Sequence, residues 1–338
     1  MAMTIYDISK KAGVSIATVS RVLNGSENVR PSTRKKVMDV IDKYDYTPNA
    51  FARGMGLHSL KTIGILCADS SDLFLAKAVY FLEQELQANG YESLLCCTGY
   101  NLDIKKNYLN LILSKKVDSI ILVGSHFIGF NEDENQYIKD VSTQVPIMLL
   151  NASFDHPNVY STLCDDYGTM FEAATEMIQS GITDILYLYD SKSYSGLKKL
   201  HGFCDAMKEH NIPGFEKLIH FYDGNIEHLN EVADFVARIA TKGTSFHGIM
   251  TSDDSLAIGS IKYAQKKGIR IPEELSVMGY NNSMLTNCCT PELTSVDNRL
   301  ETLTHQLVQT LLGVLAGEEM PKKSIFSGKI IKRGTTLF

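Results

Sequence analysis

Arg21 has the surroundings that come nearest to defining a chemistry. It lies in the run Ser15-Ile16-Ala17-Thr18-Val19-Ser20-Arg21-Val22-Leu23. Helical spacing turns Val19, Val22 and Leu23 to one face and Ile16, Ala17, Thr18, Ser20 and Arg21 to the other. A guanidinium offered in this way can make a paired hydrogen bond to guanine, the hydroxyls of Thr18 and Ser20 suit phosphate or base contacts, and Ile16 and Ala17 can touch a thymine methyl group. The chemistry that such a face could do is recognition of duplex DNA; the alternative is that Arg21 only solvates a helix face.

Such a face needs a rigid support, and the neighbouring residues supply one. Thr4 can cap a first helix, with Asp7 three residues on, near the positive helix end. That helix carries Ile5, Ile8 and Ala12 on one face and ends near Gly13. Ser15 caps a second helix through about Asn24, which Gly25 closes. Pro31 fits the first turn of a third, where Val37, Val40, Ile41 and Tyr44 recur at helical spacing. Three short helices with a tight glycine turn between the first two form a helix-turn-helix bundle, whose second helix is offered to the major groove.

Charge agrees once the chain is divided. The net charge of the 338 residues is -6, which alone argues against a polyanionic partner. Residues 1–60, however, hold nine Lys/Arg against five Asp/Glu, a net of +4, leaving 24 against 34 in the remainder. A basic module facing a polyanion and an acidic body are implied. The length suits two or three domains.

From Lys61 onward short apolar runs alternate with amphipathic stretches. Strands are expected at 62–67, 92–97, 119–123, 146–150, 184–189, 248–251 and 275–279, with helices between most of them, for example at 73–88, 166–179 and 255–267. This alternation predicts two doubly wound parallel sheets, with the chain crossing between them near residue 161 and again near 291. A further helix carries Leu300, Leu303, Leu307, Leu311 and Leu315, and one last strand spans Ile325 to Ile331. The expected division is 1–46 for the helix-turn-helix, 47–60 for a hinge helix or linker and 61–338 for the body. Within the body, lobe 1 takes about 61–160 and 292–322, and lobe 2 about 161–291 and 323–338. The fold class is thus an all-α headpiece joined to an α/β two-lobed domain.

Other chemistries find little support. The sequence has no G-x-G-x-x-G, G-x-x-x-x-G-K-[ST], G-x-S-x-G or H-E-x-x-H run. His201, His210, His220 and His228 form no helical metal pair, so neither an enzyme, a cofactor nor a metal is expected. The seven cysteines are odd in number and lack C-x-x-C spacing, as reduced thiols of a cytoplasmic protein would be. No apolar run has membrane-spanning length, and the first residues lack a signal peptide's apolar stretch.

The run TIYDISKKAGVSIATVSRVLNG, followed by VRPSTRKKVMDVIDKYDYTPNAFARGMG, resembles the headpiece of the LacI/GalR family of bacterial regulators, and especially that of Gram-positive catabolite control proteins. The resemblance implies that Ile16, Ala17 and Arg21 read bases, while Thr4, Tyr6, Thr18, Ser20, Asn24, Thr33 and Arg34 face phosphates. It also implies a hinge at Asn49-Ala50-Phe51-Ala52-Arg53-Gly54-Met55-Gly56 that becomes helical only on DNA. There Asn49, Ala52 and Arg53 would line the minor groove and Met55 would wedge a base step apart.

The likeness continues through GILCADSSDLF, KKVDSIILVGS, TSDDSLAIGS, IRIPEELSVMGYNN and TPELTSV to about residue 335, implying a periplasmic-binding-protein-like core. Ser71, Phe74, Ser125, Asn151, Tyr194, Lys199, Asp253 and Asn281 then match effector contacts in a cleft between the lobes. Three departures leave the effector unnamed. Lys199 stands where the family usually has Arg, and Asn281 and Asn151 stand where Asp is common.

The implied function is a homodimeric repressor of a pseudo-palindromic operator, controlled by a sugar or sugar derivative. A global regulator controlled by a phosphorylated carrier protein is the alternative, although Glu301 and Gln309 occupy the places of that family's docking Tyr and Arg. A solute-binding transport protein shares the two lobes but would need an export signal and no headpiece. Gly54 and Gly56 each cost roughly 1 kcal/mol of helix stability relative to Ala. Circular dichroism should therefore show helix gained on adding operator, and no gain would remove the wedge role from Met55.

Overall fold

Thr4 opens the first helix with a reciprocal cap: its Oγ1 accepts from Asp7 N at 3.3 Å, and its own N donates to Asp7 Oδ2 at 3.0 Å. The helix, α1 (Ile5–Ala12), stops at Gly13, whose φ of 64° a side chain would disfavour. Ser15 Oγ then accepts from Thr18 N at 3.2 Å and starts α2 (Ile16–Leu23). Pro31 is the first residue of α3 (Pro31–Lys43). Ile8, Val19, Val22, Val29, Val37, Ile41 and Tyr46 bury together, so each helix gives its apolar stripe to one small core.

The computed structural model describes residues 3–23, 26, 28–46 and 59–338. Two units are compact in themselves, residues 1–62 with 116–118 and residues 63–115 with 119–338. Among the described residues no helix is long and apolar enough to cross a membrane.

The larger unit holds two six-stranded sheets. The first runs β11 (Lys323–Phe326), β5 (Val159–Cys164), β4 (Ile147–Leu150), β3 (Ser119–Val123), β1 (Thr62–Cys67), β2 (Glu92–Cys97). The second runs β12 (Lys329–Ile331), β10 (Thr294–Asp297), β9 (Ser276–Tyr280), β8 (Gly248–Thr251), β6 (Ile185–Tyr189), β7 (Ile219–Phe221). Central strands such as β3 and β4 are buried on both faces, which is why they read as unbroken apolar runs. Helices α4 (Leu73–Ala88) and α11 (Leu300–Leu315) share one core with the first sheet through Leu82, Leu86, Leu307 and Leu311.

The expected lobe boundaries need correction. β5 belongs wholly to the first sheet, so the first crossing follows Cys164. β10 is parallel to β9 in the second sheet, with Thr294 opposite Met278, so residues 292–297 do not join the first lobe. The run from Ile325 to Ile331 is not one strand. β11 pairs with β5 in the first sheet and β12 pairs antiparallel with β10 in the second. Gly328 lies at the break, where its N donates to Thr169 Oγ1 at 2.9 Å and a Cβ would press on the Thr169 methyl group. An apolar run cannot reveal that its two halves pair with different sheets.

Close helix packing in the second lobe rests on a glycine. α7 (Asp166–Gln179) and α8 (Tyr194–Glu209) meet at Gly202, where a Cβ would collide with the carbonyl oxygen of Tyr167. Gly202→Ala should therefore lower unfolding stability in urea by about 1–3 kcal/mol, and an unchanged midpoint would show that the helices can separate freely.

Candidate functional site

The second helix of the headpiece presents the face that its sequence implies. Val19 and Val22 are buried, while Ile16, Ala17 and Arg21 are exposed, Ile16 to 39%. Thr18 and Ser20 are half-buried, and the Thr18 hydroxyl lies 2.9 Å from Ser15 Oγ in the cap. Tyr6 projects from α1 with 64% exposure, Thr4 is exposed at the helix start, and Thr33 sits half-buried in the first turn of α3. Arg34 is more constrained than the sequence suggests, because its guanidinium donates to Ser26 O at 2.6 Å. Asn24, Asn49, Ala52, Arg53 and Met55 lie outside the described residues.

In the larger unit the strand orders decide where a ligand can sit. Neighbouring strands β1 and β3 lead to helices on either side, as do β6 and β8. Crevices open at the carboxyl ends of such pairs. Here the two crevices share one cleft of about 700 Å³, lined after β1 by Asp69 and Ser71 to Phe74, after β6 by Asp190 and Ser191, and after β8 by Asp253. A smaller inner recess adds Ser125, Asn151 and Lys199. Seven of the eight expected effector positions line these spaces; Tyr194 does not. It is the first residue of α8, half-buried beside the capping residue Ser193, with Lys198 5.9 Å from its ring centroid.

Each polar group is held by local structure. Asp72 caps α4 through Leu75 N at 2.8 Å. Asp253 caps α10 (Asp254–Lys267) through Ser255 N at 2.7 Å and accepts from Asn281 Nδ2 at 2.8 Å. Asp190 Oδ1 accepts from Ser252 Oγ at 2.7 Å. The Ser71 hydroxyl turns to Asp69 Oδ1 at 2.8 Å. Asn151 and Asn281 hold φ values of 61° and 100°, a region that Asn enters more readily than most residues. Asn151 is buried, and its Oδ1 has no hydrogen-bond partner.

Lys199 is sequestered. Its Nζ donates to Ser252 O at 3.0 Å and lies 3.8 Å from the Tyr280 ring centroid. Tyr280 OH and Ser195 Oγ both donate to Asp166 at 2.6 Å, which satisfies that buried carboxyl group. Across the lobes, Ser125 Oγ donates to Ser193 Oγ at 2.9 Å. Burial, and then the nearby Lys105, push His126 down to about 4, so its imidazole is neutral at pH 7.

The residues missed in the sequence include Asp69, Asp72, Tyr100, His126, Asp190, Phe221, Tyr222, Asp223 and Glu227. Asp190 carried a signal, since it ends the strand run ILYLY in a doubly wound sheet. The others come together through loops whose paths the sequence does not give.

A headpiece with an exposed reading helix, joined in sequence to a bilobed body with a ligand-sized cleft, defines a ligand-responsive DNA-binding regulator. Residues 4–49 match the model for bacterial regulatory proteins of the lacI family, and 174–336 that for a periplasmic binding protein-like domain. An HTH-type transcriptional regulator of Lachnoclostridium phytofermentans is 50% identical over 99% of this chain and 100% of its own. Among solved structures, the lac repressor dimer bound to operator and the anti-inducer ONPF matches with TM-score 0.87 and 21% identity, covering 100% of both chains. The complex of the transcriptional regulator CelR with cellobiose matches with TM-score 0.71 and 20% identity, covering 98% of this chain and 99% of that one. The chain belongs to the LacI family and is a DNA-binding transcriptional regulator with an effector-binding domain.

One cleft group gives a pH test. Burial first, and then Asp190 and Asp254, push Asp253 from 3.8 up to about 7. Between those values the folded chain keeps a proton that the unfolded chain has released, so this group's contribution to stability falls as pH rises from about 4 to about 7 and is constant above. Asp253→Asn removes that titration. The Tm of the variant relative to wild type should rise across this window, and a difference independent of pH would show that Asp253 ionises normally.

Proposed function

We propose that this regulator is a homodimeric repressor of carbohydrate-utilisation genes, reading a pseudo-palindromic operator and controlled by a sugar-like effector in the interlobe cleft. The observation that carries this reading is the cleft itself, where carboxylate, amide and hydroxyl groups converge beside aromatic rings at the carboxyl ends of both sheets. Such groups suit the hydroxyls and apolar faces of a carbohydrate. The cellobiose complex among the fold neighbours supports the same class of ligand.

Control follows from linkage. A ligand that prefers one angle between the lobes changes how well two hinges and two headpieces fit two half-sites. Residues 1–46, 47–60 and 61–338 are assigned to reading, coupling and sensing, in a protein of the cytoplasm. Docking of a phosphorylated carrier is disfavoured because Glu301 is an exposed carboxylate at the place concerned.

Binding to operator and to scrambled duplex, with and without candidate sugars, tests the proposal. Arg21→Ala should cost about 1–3 kcal/mol on operator and relax preference at one base pair. Equal weakening on both duplexes would make Arg21 a phosphate contact.

A further inference from the structure

Cation and anion are unevenly distributed around the cleft. Asp72, Asp190 and Asp253 face the main cleft and its inner recess alike. Burial, and secondarily Asp190, push the Asp72 carboxyl group up; Asp253 is raised in the same way. Their hydrogen bonds come from neutral donors: the Leu75 and Ser255 amides, Ser252 Oγ and Asn281 Nδ2. Among the described residues lining these two spaces the one cationic side chain is Lys199, which is already committed to Ser252 O and the Tyr280 ring.

This arrangement meets a phosphorylated sugar and its uncharged parent very differently. A phosphate dianion in the recess would lie beside Asp72, Asp190 and Asp253, and in the main cleft also beside Asp69, Asp223 and Glu227, while the ammonium groups of Lys105 and Lys192 line an adjoining pocket, Lys192 4.8 Å from the Phe221 ring centroid; like charges in this partly desolvated space repel strongly. A hydroxyl is a donor that a carboxylate can accept from directly. The unpartnered Oδ1 of buried Asn151 in the recess is a further acceptor awaiting a donor. The cleft volume of about 700 Å³ is within the range of roughly 300–1,000 Å³ that encloses ligands of several rings. Tyr100, Phe221 and Tyr222 add ring surface along its length.

Resting on the carbohydrate reading above, we infer that the effector is an uncharged oligosaccharide of two or more rings, and that Asp72 and Asp190 exclude its phosphorylated counterpart.

The full-length chain would be titrated calorimetrically at pH 8 with cellobiose, cellotriose and maltose, with cellobiose 6′-phosphate and maltose 6′-phosphate, and with inorganic phosphate. An uncharged sugar is expected to bind at least tenfold more tightly than its phosphorylated form, with no binding of inorganic phosphate. Asp72→Asn and Asp190→Asn keep the acceptor oxygens used by Leu75 N and Ser252 Oγ, so each variant should fold, which thermal melting would check. Combined, they should shrink that preference by tenfold or more. Tighter binding of a phosphorylated sugar to wild type, or an unchanged preference in the folded double variant, would overturn the inference. Failure of every sugar to bind would instead remove the carbohydrate reading, and this inference with it.

Discussion

Parallel strands all end on the same side of their sheet, and this constraint organises the sensing body. Because the chain passes between the two sheets three times, after Cys164, after Asp297 and after Phe326, the sheets are tied as one unit around a shared gap. The carboxyl ends of both sheets open into that gap, so loops far apart in sequence supply one set of polar groups. The hydrogen bond from Ser125 to Ser193 and the approach of His126 to Ser191, at 3.5 Å, join the same loops across it. A molecule filling this gap would touch both lobes at once, which is the requirement for converting occupancy into a change of angle.

The cleft accepts an electrostatic cost for this design. Carboxyl groups that cap helices and receive neutral donors are structurally satisfied, yet they remain acidic neighbours in a partly buried space. Lys199 does not offset them, because its ammonium group points to Ser252 O and the Tyr280 ring, close to buried Asp166. A Lys at this position differs from an Arg in more than reach. A forked guanidinium can serve a wall and a ligand together, while a single ammonium group held on one carbonyl has less to offer.

The headpiece depends on a different balance. Its small core of Ile8, Val19, Val22 and Val37 fixes the reading helix, and the caps at Thr4 and Ser15 satisfy amide groups that would otherwise be exposed at helix starts. Arg34 shows that a basic side chain in a DNA-binding module can also serve the fold, here by closing onto Ser26 O.

The headpiece was legible in sequence because all its determinants are local: caps, turn glycine and helical periodicity lie within a few residues of the elements they define. Arg21 and its exposed neighbours followed directly from that periodicity. The central strands of the body were legible for the same reason, since burial on both faces leaves an apolar run. Tertiary structure alone decided that the run from Ile325 to Ile331 divides between two sheets, that β10 joins the second, and that Tyr194 stays off the cleft wall. It alone brought Asp72 and Asp190 beside Asp253, which was already expected in the cleft. Pairing partners and the convergence of loops are long-range properties: a side chain's type and local spacing fix what it can do, while the path of the whole chain fixes what it faces.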